Sequence, residues 1–177
     1  MLNDFVVEGD VCRIIIFTKA GARVETIIDI EDMPKAAEYR WHAAKQGDTY
    51  RIVCHKRLFK GDKKRGIYLH RVVTDATQDV MVDHINCNPL DNRKCNLRFV
   101  DFVANGQNRA KLHPTNTSGV RNVTWHKRDE RWQAVIYVGG KRVFLGYFKE
   151  IEDASAAVEQ ARADMMPFSQ EAMRRAA

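Results

Sequence analysis

The reading of this chain turns on Val80-Met81-Val82-Asp83-His84, the loop from Ile85 to Arg93, Asn96-Leu97-Arg98-Phe99-Val100, and Asn105. Val80-Met81-Val82 is a short β-rich run that leads into Asp83, and Leu97-Arg98-Phe99-Val100 reads as a second strand. The Asn, Asp and Pro residues between them mark a loop. Asp101 is placed to cap a helix from about Phe102 to Ala110. The expected order is therefore strand, loop, strand, helix.

These residue types suit phosphodiester cleavage, which needs a nucleophile, charge neutralisation at the phosphate and stabilisation of the leaving oxygen. A divalent cation supplies the last two, and a neutral imidazole such as His84 can draw a proton from water. Asp83 and Asn105 offer hard oxygen ligands of the kind that magnesium or manganese prefers, one ion per site. Neighbouring residues on a strand point to opposite faces, so a local bend would be needed to aim Asp83 and His84 at one phosphate.

The intervals in Asp83-His84, Asp91-Asn92-Arg93, Asn96-Leu97-Arg98 and Asn105-Gly106-Gln107-Asn108 resemble the HNH endonucleases of the homing type, encoded by phages and introns. Leu69-His70-Arg71 and Tyr39-Arg40-Trp41-His42 extend the resemblance towards the N-terminus; Cys87 and Cys95 depart from the usual residue types. The resemblance implies a ββα-metal core. In it Asp83 and Asn105 are metal ligands, His84 is the general base, and Asn96 pins the intervening loop. Asn92, Asn108 and Arg109 are weaker candidates for loop-holding or phosphate contact, and His70 reads as a structural histidine, with a place near the site as the alternative.

Outward from this core the chain divides into an N-terminal segment (1–66), the core (67–111), a linker (112–117), a C-terminal module (118–166) and a tail (167–177). In the first segment Val11 to Phe17 and Arg23 to Ile28 form an expected hairpin. Asp32 is expected to cap a helix carrying Met33, Ala37, Trp41 and Ala44 on one face, and Tyr50 to Cys54 reads as a strand. The basic stretch Lys56 to Arg65 reads as a loop.

In the C-terminal module, strands at 121–127, 131–138 and 141–148 are joined by Arg128-Asp129-Glu130 and by a Gly139-Gly140 turn. A helix follows from about Ile151 to Asp164, with Ala154, Ala157, Val158, Ala161 and Met165 as its apolar stripe. Alternation turns Trp132, Ala134, Ile136 and Val138 towards that helix and Arg131, Gln133, Val135 and Tyr137 outward. Trp125 and Trp132 are both expected in the core. The tail is expected to fray or to form one more short helix. The fold class is thus α+β: a small β-rich segment, a ββα-metal core, and a three-stranded antiparallel sheet with one helix.

The charge is uneven. Between Gly106 and Lys149, nine Lys and Arg face two acids, a local excess of +7 in a chain of net charge +6. A block of this kind reads as a nucleic-acid footprint. The runs Ser118 to Lys127, Arg131-Trp132-Gln133-Ala134 and Gly140 to Phe148 resemble the Apetala-type (ethylene-response-factor) domain, whose sheet enters the major groove of DNA. That resemblance implies DNA-facing roles for Arg121, Thr124, Arg131, Gln133, Tyr137, Arg142 and Phe144, and His126, Lys127 and Arg109 join them as basic neighbours. On the first strand Thr124 and His126 stand where plant members carry further arginines.

Four cysteines without CxxC spacing read as reduced thiols, and no apolar run reaches membrane-spanning length. The N-terminus lacks the pattern of a signal peptide, so a cytoplasmic location is expected. The expected partner is duplex DNA, with no membrane and no small-molecule substrate, for a monomer or weak homodimer. The expected activity is metal-dependent nicking of one strand near a recognised site; the alternative is a non-catalytic, sequence-preferring DNA-binding regulator.

Overall fold

A computed structural model of the chain describes residues 3–56, 65–108 and 112–176. Most of the basic stretch from Lys56 to Arg65, and the candidate Arg109, lie outside the described residues. The fold is α+β and divides into two compact units, Met1–Val100 and Asp101–Ala177.

The first unit opens with an antiparallel meander of β1 (Asp4–Glu8), β2 (Val11–Phe17) and β3 (Arg23–Asp29). The two expected strands pair from Val11↔Asp29 to Phe17↔Arg23, and β1 is an additional edge strand. Strict alternation decides the buried face: Cys12, Ile14 and Ile16 from β2, and Val24, Thr26 and Ile28 from β3, all point inward. They meet Trp41, Ile52, Leu69 and Val73 in one core.

The expected helix through Ala44 is corrected. The α-helix α1 (Met33–Ala36) is a single turn, and His42–Gln46 is a strand, β4. Continuing the helix would require the Ala36 carbonyl to accept from Arg40. It accepts instead from the Tyr39 backbone at 3.2 Å and from Trp41 Nε1 at 2.9 Å. Trp41 thereby enters the core, and β4 turns back through Gly47-Asp48 onto β5 (Thr49–Lys56). Asp32 makes no side-chain cap; it is 1% exposed and its carboxylate sits 2.9 Å from Lys94 Nζ.

β6 (Arg65–Tyr68) completes the second sheet and leads directly into α2 (Leu69–Val73). A two-stranded ribbon follows, β7 (Met81–His84) against β8 (Leu97–Val100). The long loop between them docks on β3. Ile27 donates to Leu90 O at 2.9 Å, Asn92 donates to Ile27 O at 2.8 Å, and Asp91 forms a parallel bridge with Ile27.

The second unit begins at Asp101, whose carboxylate accepts from Ala104 N at 2.7 Å and caps α3 (Phe102–Gln107). Its sheet has the order β11-β10-β9, formed by β9 (Val123–His126), β10 (Arg131–Val138) and β11 (Lys141–Phe148). Gly139 and Gly140 turn the chain with φ of 56° and 78°, the two positive values that a tight hairpin needs. Val123, Ala134 and Ile136 pack on Ala154, Val158 and Ala161 of α4 (Ile151–Met165). α5 (Gln170–Ala176) ends the described chain.

Two expectations for this core are corrected. Met165 is 45% exposed, because α4 ends there and Met166 turns inward in its place. Trp125 is 45% exposed although it faces the helix side, paired with Trp132 edge-to-face at 5.0 Å. It lies on edge strand β9, while α4 packs chiefly on β10 and β11.

Candidate functional site

The β7–β8 ribbon sets Asp83 opposite Arg98 and His84 opposite Leu97. Cross-strand partners share a face and successive residues alternate, so Asp83 and Arg98 occupy one side and His84 the other. The strand runs regularly through both residues.

His84 faces the packed side. Its Nε2 lies 3.1 Å from Asn92 Oδ1. Asn92 Nδ2 in turn donates to Thr26 Oγ1 at 2.8 Å and to Pro89 O at 3.2 Å, while the Thr26 hydroxyl donates to Leu90 O at 2.8 Å. With both donor contacts of the amide used, its oxygen is the acceptor towards His84. Nε2 therefore carries the hydrogen, and the lone pair of the neutral ring is on Nδ1. Burial holds the His84 pKa below its usual value, against the opposing pull of the Asn92 hydrogen bond and of the Asp83 and Asp91 carboxylates.

A second imidazole abuts the first. His70 of α2 meets His84 edge-on with ring centroids 5.3 Å apart, and stacks on Tyr68 at 5.7 Å. Arg51 caps the other end of the column, 5.2 Å from the Tyr68 ring centre. Burial, then the charges of His84, Arg71 and Arg51, lower the His70 pKa to about 3. His70 thus stays neutral beside His84.

Asn96 is 6% exposed and closes the loop by its side chain. Its Nδ2 donates to Asp91 O at 2.7 Å, and its Oδ1 accepts from Asn86 N at 2.9 Å. Its own carbonyl accepts from Ile85 N at 2.8 Å. Asp91 is buried and gripped at 2.8 Å by both Nε and Nη2 of Arg93, which holds its carboxyl below the usual range.

On the opposite side, the Asp83 carboxylate accepts from Arg98 Nη2 at 2.9 Å and Nε at 3.1 Å. Among the described residues no three of His, Cys, Asp and Glu gather to hold a metal ion. Asp83 brings a single carboxylate. Magnesium keeps several of its waters and commonly takes one or two carboxylates from protein, so the Asp83 carboxylate is a donor of the kind it takes. Asn105 sits half-buried on α3 in the second unit, its N–H donating to Asp101 O at 3.0 Å. Asn108 is buried and accepts from Gln170.

The outward face of the second sheet gathers a different set. Its register places Arg131 beside His126, then Thr124, Gln133 and Tyr147 in one row, then Val135 beside Phe144, then Tyr137 beside Arg142. Tyr137, Phe144 and Tyr147 are 60%, 46% and 38% exposed. Phe144 and Tyr147 pack edge-to-face at 5.1 Å, His126 lies 5.2 Å from Tyr147, and Arg142 stands 5.6 Å over Phe144. Gln133 Nε2 donates to the Tyr147 hydroxyl at 3.1 Å. His126 Nδ1 is also 3.2 Å from the Asp129 carboxylate.

Lys127 is exposed just beyond β9. Arg121 precedes β9 and is half-buried. Its charge reaches Glu171 of α5: burial raises the Glu171 pKa, but its own backbone N–H, Arg162 and Arg121 together bring it below the usual value.

Sequence reasoning passed over Thr26, and it quoted Arg98 and Tyr147 within their motifs without giving either a role. Thr26 had a signal, a lone hydroxyl on the inward face of β3 between Val24 and Ile28. Tyr147 follows from the alternation of β11 once the irregularity at Ala134/Val135 is allowed for.

Over 61 residues the chain is 36% identical to Protein 3.8 of Escherichia phage T7, a stretch covering 34% of this chain and 50% of that protein. The chain thus spans about half the length of the curated relative it matches. No protein-family model and no solved structure matches the chain. Among the described residues no helix is long and apolar enough to cross a membrane.

Proposed function

We propose that the chain is a divalent-metal-dependent endonuclease of the HNH homing type that nicks one strand of duplex DNA near a preferred site. The observation that carries this reading is the Thr26–Asn92–His84 chain of hydrogen bonds, which fixes the imidazole in the tautomer with its lone pair on Nδ1. A general base must present a lone pair in a fixed direction. His84 then takes the proton of the attacking water at Nδ1, and the charged ring keeps its Nε2–H on Asn92. Asn96 maintains the loop that carries Asn92. Asp83 would hold magnesium or manganese, which when bound neutralises charge at the scissile phosphate; on this regular strand it faces away from His84, so the two meet one phosphate only where the ribbon bends.

The outward face of β9–β11, with Arg131 and Arg142 at its ends, would grip the duplex through the groove and the phosphates. The likeness to a phage protein fits a phage-encoded enzyme acting in the host cytoplasm. The test is conversion of supercoiled plasmid to open circle with magnesium or manganese, comparing wild type with His84→Ala. Metal-dependent nicking that disappears in the variant, with DNA binding intact, is the expected result. Equal nicking by both removes His84 from the chemistry.

A second reading, a DNA-binding regulator without catalysis, draws on one observation. Asp83 is forked by Arg98 on the face opposite His84. Wild type that binds duplex DNA but never nicks it would favour that reading.

A further inference from the structure

The residue types on the outward sheet face bear on which bases it reads. Arginine is the side chain that most often reads guanine, through two parallel hydrogen bonds to O6 and N7. Here both outward arginines of the paired strands stand at the margins: Arg131 in the row with His126, and Arg142 in the row with Tyr137. Arg142 is also drawn over the Phe144 ring. The centre between them holds Thr124, Gln133, Tyr147, Val135 and Phe144, without a formal charge.

This centre presents apolar ring surface and one amide. Phe144 and Tyr147 are exposed and pack against each other, which gives a continuous apolar patch. The thymine C5-methyl is the apolar group of the major groove, and phenylalanine or a threonine methyl is its usual contact. Gln133 spends one N–H on the Tyr147 hydroxyl and keeps a second N–H and its carbonyl oxygen. That donor–acceptor pair is the complement of adenine N7 and N6. The occupant is set by charge: Arg131 and Arg142 stand at the two margins of this face and exposed Lys127 lies just beyond β9, which favours a polyanion over a protein partner.

Resting on the reading of this sheet as a duplex-DNA face, we infer that its centre reads A·T pairs in the major groove. Thymine methyls lie against Phe144 and Tyr147, adenine pairs with Gln133, and the marginal arginines take phosphates. Tyr147 thereby becomes a specificity residue, oriented by Gln133.

The experiment is fluorescence anisotropy of the full-length protein, at one fixed salt concentration, with labelled duplexes of equal length. One set has A·T-rich centres and the other G·C-rich centres; in a third, deoxyuridine replaces thymidine and removes only the methyl. The A·T set should bind at least about fivefold tighter, and the uridine duplexes should lose most of that advantage. Phe144→Ala should reduce the difference between thymidine and uridine severalfold, whereas Arg142→Ala should weaken all duplexes alike. Because the uridine change is made in the DNA, the result does not depend on a variant folding. Duplexes bound equally, or indifference to the methyl, would overturn the inference while leaving duplex binding intact. No binding to any duplex at low salt would overturn the duplex reading itself, and the inference with it.

Discussion

The Asn92 side-chain amide donates to the Thr26 hydroxyl at 2.8 Å, joining residues 66 positions apart, and its oxygen receives His84 at 3.1 Å. One side chain thus binds the N-terminal sheet to the imidazole. Asn92→Ala leaves the His84 Nε2–H facing a hole in a buried setting. A loss of about 1–3 kcal/mol is expected in urea melts. The nicking rate of the fully folded variant should fall on the order of tenfold to a hundredfold, the usual effect of removing a group that orients an active imidazole. A rate that falls only with the folded fraction would make Asn92 purely structural.

Lys94 is the ionic partner of a nearly inaccessible carboxylate. Its ammonium lies 2.9 Å from Asp32 Oδ1 and 2.6 Å from Glu31, while Lys35 is 4.0 Å away. Lys94→Met should cost about 2 kcal/mol, less than the loss of a partner in a fully buried pair because the lysine head is partly wetted. The double change with Asp32→Asn should recover most of that loss in thermal melts. An additive double variant would mean that the two residues act independently.

His70 makes stability depend on pH in a definite direction. Its folded pKa, about 3, lies below the ordinary 6.5, chiefly through burial and then through repulsion from His84, Arg71 and Arg51 should they carry charge together. Above pH 6.5 the ring is neutral in both states and contributes nothing. As pH falls below 6.5 the unfolded chain takes a proton that the folded one refuses, so stability drops by about 1.4 kcal/mol per pH unit until pH approaches 3. His84, shifted the same way, adds to the slope. His70→Phe should flatten the dependence by about one proton in urea titrations between pH 7 and 4. An unaltered slope would place the proton uptake elsewhere.

Arg98 occupies the carboxylate that a cation needs. If Asp83 is a metal ligand, the ion competes with a guanidinium already forked onto it at 2.9 and 3.1 Å. Arg98→Met should lower the manganese concentration for half-maximal nicking severalfold. Binding of manganese alone, followed by electron paramagnetic resonance, should tighten in parallel. An unshifted titration argues that Asp83 does not meet the metal.

Local signals carried much of this fold. The alternation in Val11–Phe17, the paired glycines at 139 and 140, and the Asp101 cap each fix an element from neighbouring residues alone. The failures came where a distant partner outweighed a local preference. Met33, Ala37, Trp41 and Ala44 have helical spacing, but pairing with β5 and the seat of Trp41 in the core favoured a strand after one turn. Trp125 has the composition of a core residue, and only its place at a sheet edge leaves it uncovered. At the candidate site the motif residues were legible as a set. Thr26 and Arg98 act on it through register and packing, which a linear pattern does not encode.

The docking of the β7–β8 loop on β3 also sets an order of assembly. Thr26 and Leu90 are 64 residues apart, and the earlier partner belongs to a meander closed by short turns. During synthesis that meander emerges first and can fold before the loop leaves the ribosome, so Leu90 to Asn92 arrive at a finished template. A circularly permuted chain beginning after the meander would reverse the sequence of events. Its loop would have to wait, unsupported, for the strand that shapes it.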